Sequence, residues 1–271
     1  MFRKLLLTTV FAATATAGFA ADLPVRAPAP APFVAPPIFT WTGFYIGLNA
    51  GGSFGTSQDR LTVPATVNGV ANNVNAAAAA EWVNQGNGSH NVSGFTGGLT
   101  LGYNQQFGNV VLGLEGDISY LGLSGSRVVG GAASPFGIRI TDSTKSNWFG
   151  TARVRLGYAI DRALFYVTGG AAFTDARFQR LNDNTVDGCP LVGAPFGRCH
   201  AGSARFNTGW TLGGGLEYAV TNNWTVKAEY LYSDFGKRSF RTLSATHLNQ
   251  GLDNSSSLKL HTLRVGVNYK F

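Results

Sequence analysis

The chain has 271 residues, a net charge of +7 and a mean hydropathy of +0.04, with 36 Gly, 12% aromatic and 13% charged residues. Setting aside Arg3 and Lys4, which belong to the export segment described next, leaves a net charge of 19 − 14 = +5. That excess is modest and contains no Lys/Arg run, which argues against a nucleic-acid-binding surface. Abundant Gly and aromatics at low charge fit strands and turns better than helices, and about 250 residues fit one β domain.

Arg3 and Lys4 precede a small apolar run from Leu5 to Ala17, and Gly18-Phe19-Ala20 flanks a cut before Ala21. Residues 1–20 therefore read as a secretory signal peptide, too short to span a membrane as a helix. No Cys lies near the cut, so lipid anchoring is not expected. Residues 21–40 carry Pro24, Pro28, Pro30, Pro32, Pro36 and Pro37 among alanines. This stretch predicts an extended, polyproline-like leader on the periplasmic side, with no means of forming a core. A contact with peptidoglycan through the leader is open to it, although no residue specifies one.

From residue 41 onward eight segments alternate apolar and polar, the signature of strands with two unlike faces. The first sets Phe44, Ile46, Leu48 and Ala50 against Tyr45, Gly47 and Asn49. The second sets Phe95, Leu99, Leu101 and Tyr103 against Thr96, Gly98, Thr100 and Gly102. In the third, Val110, Leu112, Leu114, Ile118 and Tyr120 oppose Gly113, Glu115, Asp117 and Ser119. The fourth opposes Ala152, Val154, Leu156 and Tyr158 to Thr151, Arg153, Arg155 and Gly157. The fifth has Phe165, Val167, Ala171 and Phe173 on the apolar face, and the sixth has Trp210, Leu212, Leu216 and Tyr218 opposite Thr211, Gly213 and Glu217. The seventh sets Trp224, Val226, Ala228, Tyr230 and Tyr232 against Thr225, Lys227 and Glu229. The eighth, Leu263 to Phe271, alternates without a break and ends on an aromatic. No long uncharged apolar run follows the signal, so export and membrane burial are reconciled only by a barrel of such strands, each about 9–11 residues across the hydrocarbon.

The connections alternate long (Gly51–Ser93, Gly122–Ser146, Asp175–Arg205, Phe235–Ser257) and short (Gln105–Asn109, Ala159–Arg162, Val220–Asn223). Outer-membrane barrels place short turns in the periplasm and long loops outside, so both termini are expected in the periplasm. Tyr103, Phe107, Tyr158, Tyr218, Trp224, Tyr269 and Phe271 cluster near the short turns as an inner aromatic girdle, with Trp148, Phe173, Trp210 and Tyr232 as candidates for an outer one.

The stretches WTGFYIGLNAGGSFG (41–55), GLEGDISY (113–120), WFGTARVRLGYAIDR (148–162), YVTGGAAF (166–173), GWTLGGGLEYAVTNNWTVKAEYLY (209–232) and the terminal LRVGVNYKF resemble the alphaproteobacterial family of small outer-membrane immunogenic and haemin-binding proteins, within the OmpA-like and opacity-porin superfamily. The resemblance covers essentially the whole mature chain, except the loops. It implies an all-β, eight-stranded antiparallel transmembrane barrel in the Gram-negative outer membrane, with surface-exposed loops and, for some members, haemin binding. It also implies that Tyr269 and Phe271 form the terminal signal read by the barrel assembly machinery. The expected surroundings are outer-membrane lipid and lipopolysaccharide.

Eight charges share the inward parity: Glu115, Asp117, Glu217 and Glu229 against Arg153, Arg155, Lys227 and Arg264. They fit a charged constriction passing small solutes or ions, or a plug of ion pairs in a barrel too narrow for much beyond side chains. The plug is favoured. It makes the chain a structural protein supporting the envelope, with a narrow porin and a haemin-binding surface protein or adhesin as alternatives. Arg127, Arg139, Lys145, Arg177, Arg180, Arg198, Lys237, Arg238 and Arg241 fall in the expected loops, where solvated charge is slightly favoured over a basic rim facing lipopolysaccharide phosphates.

Cys189 and Cys199, the only two cysteines, lie in the third long connection and suit a disulfide better than a zinc site with His200. His90, His200 and His247 are the weak candidates for haemin ligands, expected in exposed loops. His261 has lipid-facing parity, and no His is matched by spacing to a Ser nucleophile and a carboxylate on facing strands. An enzyme is therefore not expected, and neither is a metal or obligatory cofactor.

Overall fold

The computed structural model describes residues 39–72, 74–131, 134–183, 200–244 and 251–271. The signal peptide, the leader up to residue 38, the Cys189–Cys199 pairing and His247 lie outside the described residues. Two residues assigned above to the leader are part of the folded unit: Phe39 packs edge-on against Trp41, ring centroids 5.0 Å apart.

In chain order the elements are β1 (Gly43–Thr62), β2 (Thr66–Val67), β3 (Val70–Ala71), α1 (Ala76–Gly86), β4 (Gly88–Phe107), β5 (Val110–Gly130), β6 (Arg139–Ile160), β7 (Ala163–Thr174), β8 (Arg177–Asp183), β9 (His200–Arg205), β10 (Thr208–Ala219), β11 (Trp224–Ser244) and β12 (Gly251–Lys270). Antiparallel pairing runs β10-β7-β6-β5-β4-β1-β12-β11, and β11 pairs back to β10. Eight strands thus form the ring. The terminal strand pairs with the first over Tyr45↔Lys270 to Thr62↔Asp253, so neither is left as a free edge. β8 and β9 continue the line of β7 and β10 farther from the membrane, where they bridge β6 to β11.

All eight alternating segments are present with the expected faces, and the turns at Gly108–Asn109, Asp161–Arg162 and 220–223 are short. The strands, however, run far past the membrane. β5 needs only residues 110–120 to cross, with Val110, Leu112, Leu114, Ile118 and Tyr120 exposed to lipid, yet it continues to Gly130. Most of what the sequence suggested as long loops is therefore a continuation of the same sheet, and α1 and the β2–β3 hairpin fill the first connection.

β12 shows why the tube holds together outside lipid. Toward the periplasm Leu263, Val265 and Val267 point out while Thr262, Arg264 and Asn268 point in. Toward the cell exterior the polarity inverts: Asp253, Ser255, Ser257 and Lys259 face out, and Leu252, Leu258 and Leu260 are buried. Register shifts between Tyr120 and Leu123 on the β5–β6 pair, and between Asp234 and Lys237 on the β11–β12 pair, re-aim β6 and β11 near the changeover.

Candidate functional site

The interior is built in layers. At the periplasmic end Trp41, Val111, Ala159, Leu164, Tyr166 and Ala219 form a buried apolar cluster with Phe39 against it. Trp41 is fixed by its backbone N–H donating to Gln106 Oε1 at 2.7 Å, which turns the ring into the barrel mouth.

Above this layer lie the eight inward charges, all buried. Glu115 stands opposite Arg153 in the β5–β6 register, and the two form an ion pair. Arg153 also reaches Asp117 at 3.0 Å and Glu229 at 3.1 Å. Lys227 Nζ donates to Glu115 at 2.9 Å, and Arg264 grips Asp117 at 3.0 Å and Glu229 at 2.6 Å. Arg155 lies 4.0 Å from Glu115 but forms its close pair past the intervening β7 with Glu217, and its guanidinium stacks 3.6 Å from the Tyr166 ring centre. Four carboxylates and four cations thus form one network without a net charge, in the arrangement that makes buried charge tolerable.

Neutral groups complete it. Tyr45 Oη donates to Glu115 at 2.7 Å and Tyr166 Oη to Glu229 at 3.1 Å. Thr151 and Thr225 donate to Asp117 and Glu217, and Asn268 donates to Glu217 at 2.7 Å. All five share the inward parity that flagged the charges, which was the available signal.

Farther out, Val92, Leu121, Leu123, Phe149, Phe178, Phe206, Phe235 and Leu260 belong to a second apolar layer filling the tube. Beyond it lies a polar layer that sequence reasoning missed. His90 is buried on β4 rather than exposed in a loop, with Nδ1 3.0 Å from Asp59 and Nε2 3.0 Å from Thr144. Asp59, His90 and Thr144 thus form a carboxylate–imidazole–hydroxyl array, which spacing had not suggested. Both ring nitrogens are engaged, so His90 does not meet the requirement for an exposed haemin ligand. His200 opens β9, and His261 faces outward, with its Nδ1 2.6 Å from Tyr230 Oη.

Several basic residues expected on solvated loops also stand on strands. Arg180 is fully buried, clasping Asp142 at 2.6 and 2.8 Å and donating to Asn254 and to the Gly86 carbonyl. Arg127 donates to the Gln85 carbonyl at 2.7 Å. Together they cap the C-terminal carbonyls of α1 and tie it to the tube. Trp82 of α1 closes the outer end over Leu61, Ile138, Ile140 and Leu252. In the gap between β7 and β8, Asp175 is more open to solvent. Burial opposes its ionisation, but N–H donation from Asn147 and Trp148 outweighs it and holds the carboxyl below its usual range.

With this geometry in place, comparison with known proteins settles the family. The family model for the outer membrane protein beta-barrel domain matches residues 5–271. The chain belongs to that family. It is 38% identical to the 31 kDa outer-membrane immunogenic protein of Brucella melitensis, over 99% of this chain and all of the relative. It is 31% identical to the 22 kDa outer membrane protein of Rhizobium leguminosarum, over 66% of this chain and 67% of the relative. Among solved structures it is similar to OprG from Pseudomonas aeruginosa (TM-score 0.44, 12% identity, 85% of this chain and 96% of that one) and to Neisserial surface protein A (TM-score 0.36, 14% identity, 85% and 98%). The protein is an integral outer-membrane β-barrel.

Proposed function

We propose that this outer-membrane barrel is a sealed structural element of the envelope rather than a pore. The observation that carries the reading is the charge-balanced network of Glu115, Asp117, Glu217, Glu229, Arg153, Arg155, Lys227 and Arg264, held between an apolar layer at the periplasmic mouth and a second one above it. Ions crossing such a lumen would have to break buried pairs and then pass two dry layers, each step costing several kcal/mol. A non-catalytic role goes with it. Thr144 and Asp59 are buried to 0% and 2% exposure, which supports reading the Asp59–His90–Thr144 array as structural. Its use is to satisfy polar groups inside the tube.

Planar-bilayer recording of the purified full-length protein tests the reading. Insertion confirmed by protease protection, with no steady conductance, is expected. Stable open-channel current scaling with the number of inserted molecules would replace the sealed scaffold with a narrow porin.

A further inference from the structure

Three cations stand side by side on the outside of the tube, and among the described residues none of them is in an ion pair. Lys145 on β6 is opposite Arg177 on β8, and Arg177 is opposite Arg205 on β9. All three are exposed on outward-facing positions. Like charges directly opposed across strands sit about 5 Å apart at Cβ and destabilise the pairing. Among the described residues, the ion pairs of this part of the tube go to Arg127, Arg180 and Arg241 instead. Asp175, two residues before Arg177, accepts from Ser146 and from the backbone N–H groups of Asn147 and Trp148.

The row lies just beyond Trp148 and Phe173, which mark the outer edge of the apolar band. Directly beneath it is a groove of about 520 Å³ whose lining includes Ile118, Trp148, Phe173, Arg177, Arg205 and Thr208, with a carboxylate residue, Asp175, on the same wall. Gly150 also lines this groove, and a Cβ there would come within 3.4 Å of the Trp148 ring. One end of the groove is therefore apolar and at hydrocarbon depth, while the other is cationic and at headgroup depth.

We infer that this face binds an acylated, phosphorylated glycolipid of the outer leaflet. Its phosphate lies against Lys145, Arg177 and Arg205, with Thr208 as a hydroxyl donor, and an acyl chain crosses the floor over Gly150 between Ile118 and Phe173. The phosphate supplies counter-charge to three cations beside a carboxylate, Asp175, that is already engaged by Ser146, Asn147 and Trp148, and guanidinium pairs suit its geometry. The chain explains why the cations adjoin an apolar groove rather than open solvent. The site is on the outside of the wall, so it is independent of whether the lumen conducts.

The test uses the full-length protein refolded in a zwitterionic detergent, with bound lipid counted by native mass spectrometry. The probes are bisphosphorylated lipid A, the same lipid dephosphorylated, and inorganic phosphate. Saturable one-to-one binding of the bisphosphorylated lipid is expected, about tenfold or more tighter than the dephosphorylated form. R177Q/R205Q should lose about tenfold or more of that affinity with unchanged heat-modifiable mobility, and K145Q should lose less. F173A should weaken both lipids. Equal binding of the two lipids, or parent-like binding by R177Q/R205Q, overturns the inference. Full displacement of the lipid by millimolar inorganic phosphate reduces the site to a free-anion site and overturns it as well.

Discussion

Replacing Arg153 with Met removes the cation that faces Glu115 and also touches Asp117 at 3.0 Å and Glu229 at 3.1 Å. The lumen then holds four carboxylates against three cations, all of them buried. One stranded buried charge costs about 3–5 kcal/mol, a large share of the stability of a domain this size. Replacing Glu115 with Gln at the same time returns the count to three against three. The double variant should therefore lose less than the Arg153 variant alone, with a coupling energy of about 1–3 kcal/mol. The assay is urea unfolding of the barrel refolded into phospholipid vesicles, followed by tryptophan fluorescence and by mobility on unboiled gels. The charge-balance argument fails if the single variant loses under about 1 kcal/mol, or if the double variant loses the sum of the two singles.

Deleting Phe271, which rests 5.2 Å from the Tyr269 ring at the end of the closing strand, should slow insertion and lower the amount of protease-protected barrel in pulse-chase measurements on cells. Trp82→Ala empties a site that is 1% exposed beneath α1 and should cost about 3–5 kcal/mol, seen as faster amide exchange at the outer end of β1 and β12. Among the described residues, His90→Ala leaves Asp59 with the Ser57 and Ser256 hydroxyls, and should cost about 1–3 kcal/mol in the same urea assay. Any Soret shift produced by added haemin should be the same in parent and variant; its selective loss in H90A would show that the buried imidazole is reachable after all.

The membrane-spanning half of the fold was legible because lipid imposes a strict rule: Val110, Leu112, Leu114 and their equivalents must be apolar at every second position. The outer half obeys a weaker one. Between Asp253 and Lys259 both faces of β12 are largely small and polar, and a buried Ser256 reads like an outward-facing, half-buried Ser255. Nothing in such a run marks a strand, so it read as loop. The helix did leave a signal in its five alanines after Asn75, whose side chain caps the Ala77 N–H at 2.9 Å, but that signal lay inside a connection assigned no structure. In the lumen, inward parity identified the eight charges, while the Glu115–Arg153 pair needed the β5–β6 register. The Arg155–Glu217 pair was not visible, because it crosses between strands that are not neighbours. The union of Asp59 with His90, 31 residues apart, needed the β1–β4 register at a level where no alternation exposes it.

The inversion of polarity along β12 fixes something that neither half could fix alone. Sliding the barrel outward by one turn of the strand pleat would drag Leu263 and its neighbours into water, and sinking it would press Asp253 and Lys259 into hydrocarbon. The wall is thus graduated, and the membrane can sit at only one mark. A slip of one residue between strands is barred twice over: it would turn Arg264 toward the lipid while turning Leu258 and Leu260 toward the solvent. Immersion depth and strand register are written in the same residues.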